Sequence, residues 1–485
     1  MTTSLRKRTV TALIWSACQS WGMKLLALVV FFVLARYLTP AEIGLAQTVI
    51  LILAFIAIIS EQGFQDAIVQ RPDLKPEDLN LPFAVSMATA FTASSALVMF
   101  SAEIAQALRA DAAAPLIVAA AIIPPITAAS IFETAMRRRQ LDFKTLAHAS
   151  LIAGLLSGTV ALVMAVNGFG ATSLIAQAIV AAIVTAILLW RKPLWTPGRR
   201  FTTETFRALL AYSTSAFGSR LLDFFSGKII DLIILSRFGL SSLGVFAVGS
   251  KLYLTILQLL ASTLIDVALS AMSRISSDTE RLRNAYLRLL FLASCSTAPL
   301  FVGVAALSSE ICLLLFGTQW SGAEVVTELL CLLGAIQVVQ FLNGAVLGSV
   351  GIAKQILILN VLKFAFGAIA LLVSSSQTVA GLASTFVLSQ LAVTPISFYF
   401  GLSATKTSVK QLALSVGPGI FASIVAFGLV ETTRSENFLA NASTFETLVV
   451  LAAVFSLSCV SIILVVARHR FFSELRFLRQ SLRGG

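Results

Sequence analysis

Charged residues are scarce in this sequence, and their scarcity excludes a soluble globular protein. Lys, Arg, Asp and Glu together make up 12% of the 485 residues, whereas apolar residues make up 58%. A soluble domain carries about 25% charged residues, so this chain could not cover a water-facing surface of its own size. The composition therefore predicts an integral membrane protein.

Metal-ligating and catalytic patterns are also lacking. The chain has only two His and five Cys, and the cysteines stand singly, without a Cys-x-x-Cys pair. This usage predicts neither a metal site nor a redox motif. No segment resembles a phosphate-binding loop, a nucleophile elbow or a catalytic triad. We therefore expect no enzyme activity, no bound cofactor and no ATP-driven pump.

The positive charges that are present indicate topology rather than a nucleic-acid partner. The formal net charge is +12, which in a soluble protein would suggest nucleic-acid binding. Here the basic residues form short clusters between apolar runs, such as Arg6–Arg8, Arg137–Arg139 and Arg199–Arg200. Loop Lys and Arg residues set the orientation of a membrane protein in this way.

Apolar runs of about 17 to 25 residues give about fourteen candidate spans. Their approximate limits are 10–36, 41–62, 81–101, 113–134, 146–167, 171–190, 208–237, 241–268, 286–308, 323–346, 354–375, 378–401, 411–430 and 445–467. An even number places both termini on one side. If that side is the cytoplasm, the external basic residues are Arg36, Arg109, Arg237 and Arg434, and most others are cytoplasmic. The sequence therefore predicts cytoplasmic N- and C-termini.

The basic segment Trp190–Arg207 contains the helix-breaking residues Pro193, Pro197 and Gly198. This pattern predicts a linker between two lobes. The predicted N-terminal lobe covers 1–192 with spans 1–6, and a basic cytoplasmic linker follows at 193–207. The predicted C-terminal lobe covers 208–401 with spans 7–12. Spans 13–14 follow at 402–467, and a basic amphipathic cytoplasmic tail covers 468–485. The predicted fold class is an all-α integral membrane protein with pseudo-symmetric lobes.

An internal repeat supports the two lobes. Ala35–Ala46 reads ARYLTPAEIGLA, and Ser236–Ala247 reads SRFGLSSLGVFA. Each copy follows the first span of its lobe, so the repeats are expected to be parallel and related by an axis along the membrane normal. We expect Arg36 and Arg237 to contact external headgroups, and glycine in the repeat to permit a tight turn into the next helix.

A series of short sequence motifs, taken in order along the chain, resembles one family. LARYLTPAEIGLA begins at Leu34, DAIVQRPDLKPEDL at Asp66, RRQLDFK at Arg138 and GSRLLD at Gly218. Together they resemble the polysaccharide transporters, the Wzx-type flippases of the multidrug/oligosaccharidyl-lipid/polysaccharide exporter (MOP) superfamily. Further matches are Asp231 with Arg237–Gly239, Arg281–Arg283 with Tyr286, and Phe316–Gly317 with Gln319–Trp320.

The resemblance implies a MATE-like fold of fourteen helices that works by alternating access. It implies a flippase of the bacterial inner membrane that moves undecaprenyl-pyrophosphate-linked oligosaccharide repeat units to the periplasmic leaflet. These units serve exopolysaccharide, capsule or O-antigen synthesis. The partners implied are this lipid-linked oligosaccharide, membrane lipids, and a polysaccharide polymerase with its chain-length regulator, but no nucleic acid.

Ionisable residues inside the predicted spans are the candidate site. Each costs roughly 2.5 to 3.5 kcal/mol at a helix centre on insertion scales, so such residues normally face a cavity or a partner. The candidate ligands of the pyrophosphate are the basic residues Lys24, Arg220, Lys228, Lys251 and Lys363. Lys24 and Arg220 are predicted to lie roughly 18 to 21 Å into the bilayer at the helical rise.

Two acids in the seventh span, Asp223 and Asp231, have two interpretations. They follow Arg220 and Lys228 at i, i+3, which predicts ion pairs within one helix. Alternatively, they bind a proton or a sodium ion that couples to transport. The sequence leaves both interpretations open, and it indicates no metal site.

Two other functions fit the sequence less well. A cation-coupled MATE-type exporter of small molecules has twelve spans as a rule and a cavity rich in acids and aromatic residues. A membrane scaffold of polysaccharide assembly that transports nothing would keep its function after every intramembrane charge was neutralised.

Overall fold

The structure is a computed structural model that describes residues 2–71, 73–435, 442–468 and 470–473. In these ranges every regular element is a helix. The α-helices are α1 Thr2–Tyr37, α2 Pro40–Glu61, α3 Phe64–Gln70, α4 Asn80–Met99, α5 Ser101–Ala107, α6 Ala114–Ala120, α7 Ile123–Arg139, α8 Phe143–Val166, α9 Ala171–Trp190, α10 Thr203–Ser273, α11 Thr279–Ala306, α12 Ser308–Leu315, α13 Ala323–Ser349, α14 Ala353–Val373, α15 Val379–Ala392, α16 Thr394–Thr405, α17 Val409–Ser435 and α18 Thr444–Val466. Three short 3-10 helices cover Pro76–Leu79, Asp111–Ala113 and Thr318–Trp320.

Most of these helices can cross a membrane. In the described part of the chain, 12 helices are long and apolar enough, or 13 if the bent pair Asp111–Ala120 and Ile123–Arg139 is one span. That pair bends by 42° just before Pro124 and Pro125, which lack the backbone N–H that a continuous helix needs. The bent pair corresponds to the fourth predicted span.

One apolar stretch is too long for a single crossing. Phe217–Leu260 contains 44 residues, about 66 Å of helix, whereas the hydrocarbon core is about 30 Å thick. Gly239 interrupts the helix within it, with φ 79° and ψ −171°. We therefore divide the stretch into two crossings at Gly239, which agrees with the seventh and eighth predicted spans. The all-α multi-span fold predicted from the sequence is confirmed.

The chain forms two compact units, Met1–Ala247 and Val248–Gly485, whose boundary falls inside α10. In the first unit, α8 packs on α1 and α9, and α7 contacts α3, α4 and α9. In the second, α11 packs on α13 and α17, and α17 on α18. The organisation predicted around a linker at 193–207 stays a prediction.

The second unit buries polar side chains along α13. Tyr286 on α11 donates to Asn343 at 2.6 Å, and the amide of Asn343 donates to Ser397 at 3.0 Å. Asn343 is fully buried. Each group finds its partner on a neighbouring helix, as polar groups in a membrane must.

The predicted C-terminal tail lies mostly outside the described residues, which end at position 473. The part that is described packs on the second unit. Arg470 donates to the backbone oxygens of Leu287 and Leu414 and to the hydroxyl of Ser415. Its guanidinium also lies 4.8 Å from the ring centroid of Phe291, a cation–π contact.

The two copies of the repeat touch within the first unit. A Cβ atom added to Gly44 would lie 1.8 Å from the backbone oxygen of Leu240, and one added to Gly244 would lie 1.9 Å from that of Pro40. Only glycine permits two helices to approach this closely. Gly44 and Gly244 both lie inside helices and serve helix packing, whereas the turn predicted at a glycine of the repeat is found at Gly239, with φ 79°. Thr39 begins α2 with a capping box to Glu42.

One end of the first unit, which we call the basic end, comprises residues 61–80, 133–145 and 189–207. There the carboxylate of Glu133 accepts hydrogen bonds from the backbone N–H groups of Leu194 and Trp195 at 3.0 to 3.1 Å. Glu133 is fully buried, and the Trp195 ring packs on Phe132 and Ile68. The segment after α9 is therefore packed onto the first unit.

Arg137 completes this arrangement. It lies 3.5 Å from Glu133, donates to Asp142 at 2.9 Å, and donates to the backbone oxygens of Leu189 and Lys192. Only 4% of the residue is exposed. The sequence favoured topology over substrate binding for the Arg137–Arg139 cluster, and the structure adds that Arg137 is a buried structural group.

Close packing of the repeat predicts that both of its glycines resist substitution. Gly44→Ala and Gly244→Ala should each destabilise the protein by about 1–3 kcal/mol through overpacking, seen as a lower midpoint of thermal unfolding in detergent. The matched control is Gly227→Ala, because a Cβ there meets nothing within 4 Å. Equal midpoints for all three variants would contradict the contact.

The buried acid of the basic end predicts a second stability effect. Glu133→Gln should cost about 3–5 kcal/mol, because it leaves the charge of Arg137 buried with less compensation. Glu77→Gln is the control, since Glu77 pairs with Arg200 at 3.4 Å while their side chains are 50% and 83% exposed, and such pairs contribute little. Thermal unfolding of both variants in detergent measures the difference, and equal losses would refute the structural role of Glu133.

Candidate functional site

The basic residues predicted from the sequence share one feature, which is that each is half-buried. Lys24 on α1, Arg220 and Lys228 on α10 belong to the first unit. Lys251 on α10 and Lys363 on α14 belong to the second. None of the five is fully covered by protein.

Arg220 is held by two acids that the sequence analysis did not select. Its two terminal nitrogens contact different carboxylates: one lies 2.5 Å from Glu61, and the other donates to Asp66 at 2.8 Å. The i, i+3 pair predicted between Arg220 and Asp223 is wrong, since Asp223 is exposed and Arg220 turns to these other acids. Charge-assisted contacts of a guanidinium with carboxylates are among the strongest hydrogen bonds in proteins.

A sharp turn brings the two acids to the same guanidinium. Glu61 is the last residue of α2, and Asp66 lies in the first turn of α3. Between the helices, Gln62 and Gly63 both have left-handed backbone conformations, with φ 49° and 75°. Phe64, which follows, is fully buried and fixes the start of α3 against the core of the basic end.

Two further residues extend this contact. With its side-chain amide assigned in the orientation that satisfies both ends, Gln65 donates to Glu61 at 3.1 Å and accepts from Arg138 at 2.8 Å. We call the five residues Glu61, Gln65, Asp66, Arg138 and Arg220 the Arg220 cluster. It contains two acids and two guanidinium groups, so its formal charges balance.

Arg220 lies beside the end of α2, because its guanidinium contacts Glu61, the last residue of that helix. The depth predicted for Arg220, roughly 18 to 21 Å at the helical rise, stays a prediction.

The second predicted ion pair is confirmed. Lys228 donates to Asp231 at 2.9 Å, one turn along α10. The side chain of Asp231 is 8% exposed, against 31% for Lys228. A buried carboxylate with a partner on its own helix is charge-compensated, whereas Asp223 is exposed. The pattern of i, i+3 charges was a sufficient signal for the Lys228 pair.

The remaining predicted cations lie on other helices. Lys24 stands in the apolar stretch Cys18–Tyr37 of α1, and Lys363 in the middle of α14. The backbone oxygen of Lys363 accepts a hydrogen bond from Gln390 on α15 at 3.3 Å. In the described part of the chain, no three His, Cys, Asp or Glu residues are placed to hold a metal ion.

Sequence reasoning missed Glu61 and Asp66 for a definite reason. Both flank the end of a span, where an acid is ordinarily exposed to water and carries no signal. They are separated from Arg220 by 154 or more positions, so no local spacing links them. Their closeness to Gly63, which permits the sharp turn, was the only hint in the sequence.

Comparison with known families and sequences identifies relatives of this chain. Residues 33–325 match the model of the polysaccharide biosynthesis protein family. A succinoglycan biosynthesis transport protein of Rhizobium meliloti is 28% identical over 334 residues, 68% of this chain and 67% of that protein. A lipopolysaccharide biosynthesis protein of Escherichia coli is 23% identical, over 72% and 71% of the two chains. A teichuronic acid biosynthesis protein of Bacillus subtilis is 22% identical over 72% of each.

Solved structures agree on the fold. A lipid II flippase in an inward closed conformation superposes with a TM-score of 0.74 at 14% identity, covering 95% of this chain and 100% of that one. An inward-facing multidrug transporter of the MATE family gives 0.57 at 16% identity, covering 79% of this chain and 95% of that one. At such identities the likeness shows the fold alone, which this chain shares with the lipid II flippase and the MATE-family transporter.

The family match spans more than half of the chain, and the fold and the apolar helices agree with it. This chain belongs to the polysaccharide biosynthesis protein family, and it is a multi-pass membrane protein.

Proposed function

We propose that this protein is a flippase that moves undecaprenyl-pyrophosphate-linked oligosaccharide repeat units from the cytoplasmic to the periplasmic leaflet of the bacterial inner membrane. Its relatives are named for succinoglycan, lipopolysaccharide and teichuronic acid biosynthesis, and they support cargo built from sugars. The units would serve exopolysaccharide, capsule or O-antigen synthesis.

The observation that carries the proposal is the set of half-buried cations on apolar helices. A pyrophosphate headgroup brings negative charges into a medium of low dielectric, and only cations with hydrogen-bond donors can offset its desolvation. Lys24, Arg220, Lys228, Lys251 and Lys363 supply such donors. These cations would not bind the cargo of a carrier of cationic drugs, because like charges repel.

The proposed orientation follows from the basic end of the first unit. Arg138, Arg191 and Arg199 lie there, and loop Lys and Arg residues favour the cytoplasm. The N- and C-termini are then cytoplasmic, and the headgroup first meets the basic end. The polysaccharide polymerase and its chain-length regulator would receive the cargo on the opposite side.

Transport would follow alternating access, as the resemblance of this sequence to the family implies. The headgroup enters among the cations while the polyprenyl tail stays in lipid. Asp231 serves as the charge partner of Lys228, which supports a compensating role for this acid. Asp223, which is exposed, is our candidate for coupling to a proton or a sodium ion.

Deleting the gene tests the proposed cargo. We expect the mutant to lose surface polysaccharide and to accumulate a complete lipid-linked repeat unit on the cytoplasmic leaflet, because synthesis continues while translocation stops. Mass spectrometry of extracted lipids identifies the unit. Intact polysaccharide without accumulation, in a strain that lacks paralogues, would instead favour an exporter of small molecules.

Single substitutions test the proposed ligands. Lys24→Ala, Arg220→Ala and Lys251→Ala should each reduce surface polysaccharide at least tenfold, as expected when about 1.4 kcal/mol or more of binding is lost. Protein abundance in the membrane should stay unchanged. The control is Arg200→Ala, since that side chain is 83% exposed. Normal polysaccharide in all three variants would refute the assignment of these cations.

A further inference from the structure

The guanidinium of Arg220 is already occupied by acids where the proposed function requires an anion to bind. Its two terminal nitrogens contact Glu61 at 2.5 Å and Asp66 at 2.8 Å. A guanidinium has a fixed fork of N–H donors that fits carboxylate and phosphate alike. A phosphate that binds Arg220 along this fork must therefore replace at least one carboxylate.

We propose that Glu61 and Asp66 form a carboxylate latch, which competes with the pyrophosphate headgroup for Arg220 and reforms when the headgroup leaves. The proposal rests on the proposed function, because it assigns a regulatory role to acids beside one of the proposed ligands. It differs from an ion-coupling role, since exchange of one anion for another needs no bound proton or sodium ion.

The two arms of the latch differ in exposure, which sets the order of exchange. The side chain of Asp66 is 39% exposed, whereas that of Glu61 is 14% exposed. Water can replace the contacts that Asp66 loses, while Glu61 would be left with an uncompensated charge in a more enclosed place. Asp66 is therefore the arm that a phosphate displaces first.

The rest of the cluster favours return of the latch. Gln65 links Glu61 to Arg138, so the second guanidinium lies close to the same acids. When no headgroup is bound, the formal charges of the two acids and the two guanidinium groups in the cluster cancel. With pyrophosphate bound it gains negative charge, so closing the latch again stabilises the state without cargo and promotes release.

Binding and turnover should therefore change in opposite directions when an arm is neutralised. In nanodiscs, Asp66→Asn should bind undecaprenyl pyrophosphate roughly three- to tenfold more tightly, because its competitor for Arg220 is gone. Glu61→Gln should shift affinity in the same direction. Initial flipping rates at saturating probe in liposomes should fall for both variants, because release slows.

Three control variants isolate the latch. Arg220→Ala should weaken binding of the same probe at least tenfold. Glu77→Gln removes an equal charge from an exposed pair at the same end of the unit, and its affinity should stay that of the wild type. Asp66→Glu keeps the competing carboxylate, so it should also bind like the wild type, which separates competition from any change in folding.

Each outcome decides a different question. If the wild type binds undecaprenyl pyrophosphate but Asp66→Asn and Glu61→Gln bind it more weakly, the acids position Arg220 or support the fold, and the latch is refuted. If Arg220→Ala binds normally, Arg220 is no ligand and the latch is refuted as well. If the wild type itself does not bind the probe, the proposed function fails.

Discussion

A polar group in the hydrocarbon core has no water to bond with, so its partner must lie inside the protein. Helices meet this demand for the backbone, which is why the described part of the chain consists of helices. Side chains meet it across helices, as Tyr286, Asn343 and Ser397 do in the second unit. The same demand applies with greater force to charges, because a charge costs more to bury than a dipole does.

Charges in the first unit divide into two groups by how completely the protein covers them. Glu133 and Arg137 are buried and bonded to each other and to backbone groups, so they have little freedom to bind anything else. Arg220 and its acids keep part of their surface open. Partial exposure permits exchange of partners, which a transport site needs and a structural ion pair does not.

Duplication of the sequence has a direct physical expression in the fold. Gly44 and Gly244 occupy corresponding places in the two copies, and each meets a backbone oxygen of the other copy. A side chain at either position would separate the helices. The repeat seen in the sequence therefore corresponds to a contact in which the glycine of each copy packs against the backbone of the other.

The sequence by itself determined what depends on composition and on neighbouring positions. It determined the membrane class, nearly all span positions, the family resemblance and the Lys228–Asp231 pair, because apolar length and i, i+3 spacing act locally along a helix. Only the tertiary structure decided the partners of Arg220, the burial of Arg137 and the contact of the two glycines. These depend on which distant helices meet, and Arg220 lies 154 positions from Asp66. The energy of a charge in a membrane is set by what surrounds it, and the surroundings of Arg220 come from segments that no spacing rule connects to it.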